Sequence, residues 1–261
     1  MNFVLVTGGK GGVGKTTLAA NLGVALAQRG MRILLVDLDF SLANLNVMFG
    51  LTPRHTLEHF FRDDHPLADC IHKGPGGVHL LPGGSGCSEL SRDDAERKHK
   101  LSSGLTELAA NYDLVIGDSA AGIGPDVLSF SALAELVLVV TTPEPAAMTD
   151  AFGLVKALDA EASSGSVELP TPELFFNLVH GSDQAERLSA RLRGVCERFL
   201  ARSPRLAGWL PRSSGVLQSS MSQRPFIGHR AQKQALETRC VLNLAKRLER
   251  RFREVPVPAG R

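Results

Sequence analysis

Short apolar runs, most of them unbroken, recur along the chain: Phe3–Val6, Ile33–Val36, Val78–Leu81, Leu114–Ile116, Leu136–Val140, Leu174–Phe176 and Leu206–Leu210. Runs without polar alternation are expected of parallel strands covered on both faces. The stretches between them are long enough to hold crossover helices. The alternation predicts an α/β fold, a mainly parallel sheet flanked by helices on both faces, in a single domain over 1–261. Glu161–Pro172 reads as a surface loop. Gly83-Gly84-Ser85-Gly86 follows a strand end, where α/β proteins place ligands, but a structural turn is the preferred reading. Near the end, Leu236, Cys240, Leu244, Leu248 and Phe252 fall at helical spacing among Lys246, Arg247, Arg250, Arg251 and Arg253. They predict a basic C-terminal helix at about 229–253. Its stripe either packs on the domain or lies on anionic lipid. Packing is expected, with Pro256 and Pro258 ending the segment.

Composition adds little to this picture, with 43% hydrophobic and 21% charged residues. No apolar stretch approaches the roughly 20 residues that span a bilayer, and no signal peptide is expected ahead of Val4-Leu5-Val6. Cys70, Cys87, Cys196 and Cys240 lack CxxC spacing, which predicts free thiols in a reducing cytoplasm and argues against an iron–sulfur site. Charge is more informative. Residues 1–183 hold 12 Lys and Arg against 22 Asp and Glu, whereas 184–261 hold 17 against 5. The basic third either faces an acidic partner, anionic lipid or nucleic acid, or solvates its own helices.

The chemistry concentrates at Gly9 to Thr16, Gly-Lys-Gly-Gly-Val-Gly-Lys-Thr, directly behind the first apolar run. This is G-x-x-x-x-G-K-[ST] with a strand before it and a helix, Lys15 to about Arg29, after it. Gly9, Gly11, Gly12, Val13 and Gly14 would curl the backbone into an anion nest. The helix dipole would point at the same anion. Lys15 would reach the β- and γ-phosphates, Thr16 would bind Mg²⁺, and Thr17 would complete the binding loop. Lys10 is a second cation inside the loop. It is either a solvated surface lysine or, since one chain's phosphates have little room for both, a group that crosses to a nucleotide held by a second subunit.

Val36-Asp37-Leu38-Asp39 ends the second strand with two carboxylates on the same side. Asp37 is the candidate for holding a Mg²⁺-bound water and Asp39 for orienting an attacking water. The alternative is that both cap a following helix. Asp113-Leu114-Val115-Ile116-Gly117-Asp118 resembles a Walker B element with Asp118 on the metal shell. Ser119–Gly124 follows as a small-residue switch II that can move when a phosphate leaves.

With Lys10 and Lys15 together, the chain resembles the deviant Walker A ATPases of MinD/ParA type. That resemblance implies ATP and Mg²⁺ as ligands and an ATP-sandwich homodimer in which Lys10 reaches the partner's nucleotide. It implies that Asn177 reads the adenine edge, with capping of the helix near Asp183 as the alternative. It places Pro211 in the loop over the base. The chain departs from the family there, because Arg212-Ser213-Ser214 replaces the usual acidic residue. Residues 41–51, 76–86, 121–128, 141–156 and 223–226 further resemble the flagellar number regulators FlhG/FleN (YlxH), a likeness covering roughly residues 2–250. An N-terminal GTPase-stimulating extension and a membrane-targeting tail, found in relatives, are not expected here.

The resemblance implies an ATP-dependent dimerisation switch with slow, partner-stimulated ATP hydrolysis that regulates flagellar number or placement. Expected partners are an FlhF-type GTPase, a flagellar transcription regulator or a flagellar switch component. Membrane contact is expected to be weak or peripheral and DNA binding is not expected. The location would be cytoplasmic, extending to the inner face of the cell membrane. The alternatives are a ParA/MinD-like positioning or partition ATPase for another cargo, or a non-hydrolysing scaffold that responds to nucleotide.

Overall fold

The computed structural model describes residues 1–84, 95–164, 169–228 and 234–253. Its centre is an eight-stranded sheet in the order β3-β4-β2-β5-β1-β6-β7-β8. The strands are β1 (Phe3–Gly8), β2 (Ile33–Leu38), β3 (His72–Lys73), β4 (His79–Leu81), β5 (Leu114–Ala121), β6 (Leu136–Thr141), β7 (Glu173–Val179) and β8 (Arg205–Pro211). Every pairing is parallel except that of β3 with β4. Strands β1, β2 and β6 are buried at all six positions, which is why they read as unbroken apolar runs.

Helices cover both faces. On one lie α1 (Lys15–Ala27), the short α2 (Leu45–Met48) and, through a shared core with Phe226 and Ile227, the last helix of the described residues. On the other lie α3 (Leu57–Arg62), α4 (Ala95–Ala109), α5 (Pro125–Leu133), α6 (Pro145–Ser163) and α7 (Ser182–Phe199). Pro125 and Pro145 each open their helix, where a missing N–H costs nothing. The remaining helices are α8 (Ser214–Met221) and α9 (Leu236–Arg253).

Several expectations shift. The two-residue β3 has no apolar run to announce it. Helix α6 continues through Ser163, so the first part of the proposed loop Glu161–Pro172 is helical, and Leu169 is buried. Residues 165–168 of that loop, Ser85 and Gly86 of the glycine loop, and Cys87 lie outside the described residues. Strand β5 runs on through Ala121, so Ser119–Ala121 are strand and the turn begins at Gly122. Strand β7 does not close at Asn177 but continues to Val179, with a register break between Phe176 and Val179.

Helix α9 starts at Leu236 rather than near 229, and 229–233 lie outside the described residues. Its stripe packs on the domain: Val241, Leu244, Ala245, Leu248 and Phe252 are buried in the core shared with α1. Leu236 is 39% exposed and Cys240 half-buried. Of the basic residues around the stripe, Arg247, Arg251 and Arg253 meet acids of the same chain, as do Arg29 and Arg202 elsewhere, while Lys246 and Arg250 are exposed. Arg247 and Arg251 pair with Glu173, Arg29 and Arg253 with Glu249, and Arg202 with Asp159. No described helix is long and apolar enough to cross a membrane.

If α9 is a structural helix, Leu248→Ala opens a cavity beneath α1 and costs about 2–5 kcal/mol. The urea midpoint should fall accordingly with no change in slope. An unchanged midpoint would mean that the stripe carries no packing.

Candidate functional site

The C-terminal ends of β1, β2, β5 and β6 meet the start of α1. Helix α1 begins after Gly14, whose φ of 99° suits glycine, and no side chain caps its first turn. Its leading N–H groups and positive dipole end are therefore left for an anion. The loop ahead of it is clamped by its neighbours. A side chain at Gly9 would collide with the Asp150 backbone of α6, and one at Gly14 with the Asn177 amide. Val13 is buried, and Thr17 lends its carbonyl to Asn21 at 2.8 Å.

Lys15 is 9% exposed. Burial lowers its pKa, while the charges of Asp118 and then Asp39 oppose the shift. Beside it the sheet register sets Asp37 directly across from Asp118. Both are buried. Burial pushes Asp37 up to about 6, despite hydrogen bonds from the Leu45, Asp39 and Asn44 N–H groups. Burial and then the Asp37 charge push Asp118 up as well, against the Thr16 hydroxyl bond and Lys15. Asp118 Oδ1 is buried with no partner among the described residues. So are the hydroxyls of Thr7 and Thr142, near the ends of β1 and β6. Two adjacent buried carboxylates, an orphaned oxygen and the Thr16 hydroxyl are oxygen donors of the kind that suit Mg²⁺.

The two strand-end aspartates take different roles. Asp37 Oδ2 accepts from the N–H groups of Asn44 and Leu45 at 2.8 and 2.9 Å, and Oδ1 from Asp39 N–H at 3.2 Å. It therefore fixes the loop that leads into α2. Asp39 Oδ1 accepts from Ser41 N–H, Ser41 Oγ and Leu42 N–H, at 3.2, 2.6 and 3.0 Å. This turn holds one carboxylate oxygen, while Oδ2 makes no hydrogen bond among the described residues. Asp39 closes a turn ahead of α2 rather than capping a helix, and it is Asp37 that takes the N–H of Leu45 at the start of α2.

Lys10 turns out of its own cradle to meet Glu144 at 3.2 Å, the two side chains 40% and 62% exposed. Glu144 is a residue that sequence reasoning missed, although it stands at the end of β6 just before α6. Asn177 is placed on the loop itself. Its Nδ2 donates to the Val13 carbonyl at 2.9 Å, and its Oδ1 accepts from Leu178 N–H at 2.8 Å. It caps no helix, since Ser182, five residues on, begins α7. Leu178 has a φ of 59°, a strained conformation for a branched side chain, at the break in register that turns Asn177 inward. Pro211 is buried at the end of the edge strand β8, where its missing donor is harmless. The next loop is tied to α9, with Ser213 Oγ donating to Glu237 at 2.9 Å.

A family model described as the CobQ/CobB/MinD/ParA nucleotide binding domain matches residues 4–226. The chain is 36% identical over 224 residues to the antiactivator FleN of Pseudomonas aeruginosa, covering 86% of this chain and 78% of FleN. It is 33% identical over 154 residues to the flagellum site-determining protein YlxH of Helicobacter pylori, covering 59% of this chain and 52% of YlxH. The fold matches that of the septum site-determining protein MinD of Pyrococcus horikoshii OT3, solved with Mg-ADP. The TM-score is 0.76 at 22% identity, covering 98% of this chain and 99% of that one.

The carboxylate pair makes a prediction about stability. Both pKa values are raised by folding, so the folded protein holds protons that the unfolded chain releases near pH 4. Stability is present below that value and is lost as pH rises through about 6, the value for Asp37. Asp118→Asn removes the like-charge pair. It should raise the melting temperature of the nucleotide-free protein at pH 7.5 by roughly 4–8 °C, about 2 kcal/mol. The same change should abolish the strengthening of nucleotide binding by Mg²⁺. Calorimetry of both proteins from pH 4.5 to 7.5 checks this; a lower melting temperature for the variant at pH 7.5 would contradict it.

Proposed function

The chain belongs to the CobQ/CobB/MinD/ParA nucleotide-binding domain family, and from that premise we propose that it is an ATP-dependent dimerisation switch with slow ATP hydrolysis. Its proposed role is to regulate flagellar number or placement. The observation that carries the nucleotide chemistry is the buried Asp37–Asp118 pair beside Lys15, at a helix N-terminus that no side chain caps. An anion and a cation arriving together would satisfy every group there.

Lys15 and the uncapped N–H groups of α1 would hold the phosphates. Thr16 and Asp118 would hold Mg²⁺, with Asp37 behind them. Bound there, Mg²⁺ neutralises charge on the terminal phosphates. Asp39, steadied through one oxygen, would orient water with the other. Phosphoryl transfer asks mainly for such alignment and charge stabilisation. Lys10 does not enter its own cradle and is placed at the rim, where a second subunit's nucleotide would come within reach. Asn177, holding Val13, retains one amide hydrogen for the adenine edge, and Pro211 stands nearby on β8.

The flagellar reading is supported by the likeness to YlxH, a flagellum site-determining protein by name, alongside that to the antiactivator FleN. Its partners would be an FlhF-type GTPase, a flagellar transcription regulator or a switch component, in the cytoplasm. The membrane contact would be weak, because the apolar face of α9 is already used in the core. ATP-dependent, salt-resistant sedimentation with anionic vesicles would overturn that point. The second reading, a positioning ATPase for another cargo, is favoured by the 31% identity to a septum site-determining MinD over 95% of this chain.

Lys15→Ala should abolish nucleotide binding. Lys10→Ala should bind ATP as a monomer yet fail to dimerise. Asp39→Ala should bind ATP and Mg²⁺ and stay dimeric, with turnover lowered on the order of 10²-fold. Mass in solution with ATP, alongside phosphate release, separates the three. Normal dimerisation of the Lys10 variant would remove the cross-subunit role, and normal turnover of the Asp39 variant would remove the water-orienting role.

A further inference from the structure

Four histidines outside the nucleotide site gather between the loop after β2 and the edge strand β3. The His55 and His65 rings stack with centroids 4.3 Å apart, and His59 stands edge-on to His55 at 5.4 Å. His59 lies 6.5 Å from His65. His72 Nε2 donates to the His55 carbonyl at 2.8 Å. No group of His, Cys, Asp and Glu among the described residues is arranged to hold a metal ion. The cluster is therefore a set of proton acceptors rather than a chelate.

One of these acceptors does structural work. His59 Nδ1 accepts from the Thr56 N–H at 3.2 Å and lies 3.1 Å from Thr56 Oγ1, while Thr56 Oγ1 accepts from Glu58 N–H. This is a capping box closed by an imidazole. A backbone N–H can only donate, so Nδ1 must carry no proton. A glutamine or glutamate would close the same box at neutral pH, but only histidine opens it under mild acid.

The capped helix touches the catalytic loop. Helix α3 is fixed at its start by the Leu57 N–H bond to the Pro82 carbonyl at 2.9 Å. Its Phe61 ring meets Phe40 edge-on at 6.2 Å, and Phe40 also meets Phe130 of α5 at 6.2 Å. Phe40 is the residue after Asp39. We propose that His59 is a positioning residue for Asp39. Unprotonated, it closes the cap of α3, and α3 braces Phe40 through Phe61. Protonation of the cluster opens the cap and releases the brace, so that hydrolysis slows below neutral pH. The proposal rests on the reading of Asp39 as the water-orienting group.

The charged surroundings are mixed. His55 is held below the usual imidazole range by burial and by His65, His59 and His72, with Asp69 opposing. Asp63 faces His59 and His65 but is engaged by Arg62, which also pairs with Glu58. From α4, Lys100 pairs with Asp64 and sits over the Phe60 ring. The Cys70 thiol donates to the Thr56 carbonyl, and burial pushes its pKa up to about 11, so it stays neutral throughout. Asp63, Asp64 and Glu58 are thus shared with cations, Asp69 acts on His55, and a proton entering the cluster meets other imidazoles.

The test compares the full-length protein with His59→Gln and His59→Ala. ATP turnover is followed from pH 8 to pH 5.5, and the Phe40 ring resonances are followed without nucleotide. The wild type should lose about fivefold in kcat relative to His59→Gln over this range, with KM unchanged. His59→Gln, whose amide oxygen accepts the Thr56 N–H at any pH, should match the wild type at pH 8. His59→Ala should be slow throughout. The Phe40 resonances should shift further with pH in the wild type than in His59→Gln, where the titration of Asp37, which accepts the Asp39 N–H, still reaches them; equal shifts in the two proteins would overturn the brace. Parallel pH profiles for wild type and His59→Gln, or a Phe40 ring indifferent to pH, would overturn the proposal. If Asp39→Ala turns over normally while Phe40 still shifts, the failure belongs to the role of Asp39 and the brace stands.

Discussion

The site depends on one unfavourable arrangement, two carboxylates buried side by side on adjacent parallel strands. Asp37 and Asp118 are opposed in register, and the helices on both faces of the sheet keep water away. Lys15 lies near but is itself raised in energy by burial, so it offsets the pair incompletely. Like charges at this distance cannot both ionise cheaply in a low-dielectric setting. The folded protein therefore retains a proton or recruits a cation. Occupancy of the site and the protonation of its floor become the same event.

The arrangement also couples to the loop after β2. Asp37 spends both oxygens on the N–H groups of Asp39, Asn44 and Leu45. Whatever charge Asp37 carries is thus felt by the backbone that carries Asp39. The opposite wall is coupled as well, because Asn177 holds the Val13 carbonyl and the strained Leu178 keeps Asn177 turned inward. Asn177 is thus bonded to the phosphate loop at Val13, and Asp37 to the backbone that carries Asp39, as two separate sets of short contacts on either side of Lys15.

Much of this was legible in the sequence. The seven apolar runs are all strands, and the phosphate loop, Asp37, Asp39 and Asp118 converge as their strand-end positions require. A parallel strand buried on both faces has to be apolar throughout, and a strand-end acid stands out against it. What was hidden depends on pairs distant in sequence. Strand β3 is two residues long and polar, so only its partner β4 defines it. Lys10 meets Glu144 across 134 residues, and Ser213 meets Glu237 across 24. The inward turn of Asn177 depends on a register break between β7 and β8, which no local pattern announces. Helix α3 carries a histidine, His59, at its third position, where capping boxes carry Glu or Gln, so the usual signature is absent.

The charge asymmetry of the chain takes on a different meaning in three dimensions. Seventeen basic residues in the last third suggest a surface for an acidic partner. Yet Glu173 and Asp159, from the acidic part, and Glu249 within α9 take up Arg247, Arg251, Arg202, Arg29 and Arg253. The opposite charges of the two parts therefore meet within the fold. Exposed pairs of this sort contribute little each, roughly 0–1 kcal/mol, but Arg202 and Asp159 are mostly buried and fix β8 and α7 against α6. The cations left exposed on α7, such as Arg187, Arg191 and Arg193, lie on the outer face of a helix whose buried side is in the core. An acidic partner would find cations exposed on the outer face of α7 and, at Lys246 and Arg250, on α9, whose apolar stripe is already engaged within the fold.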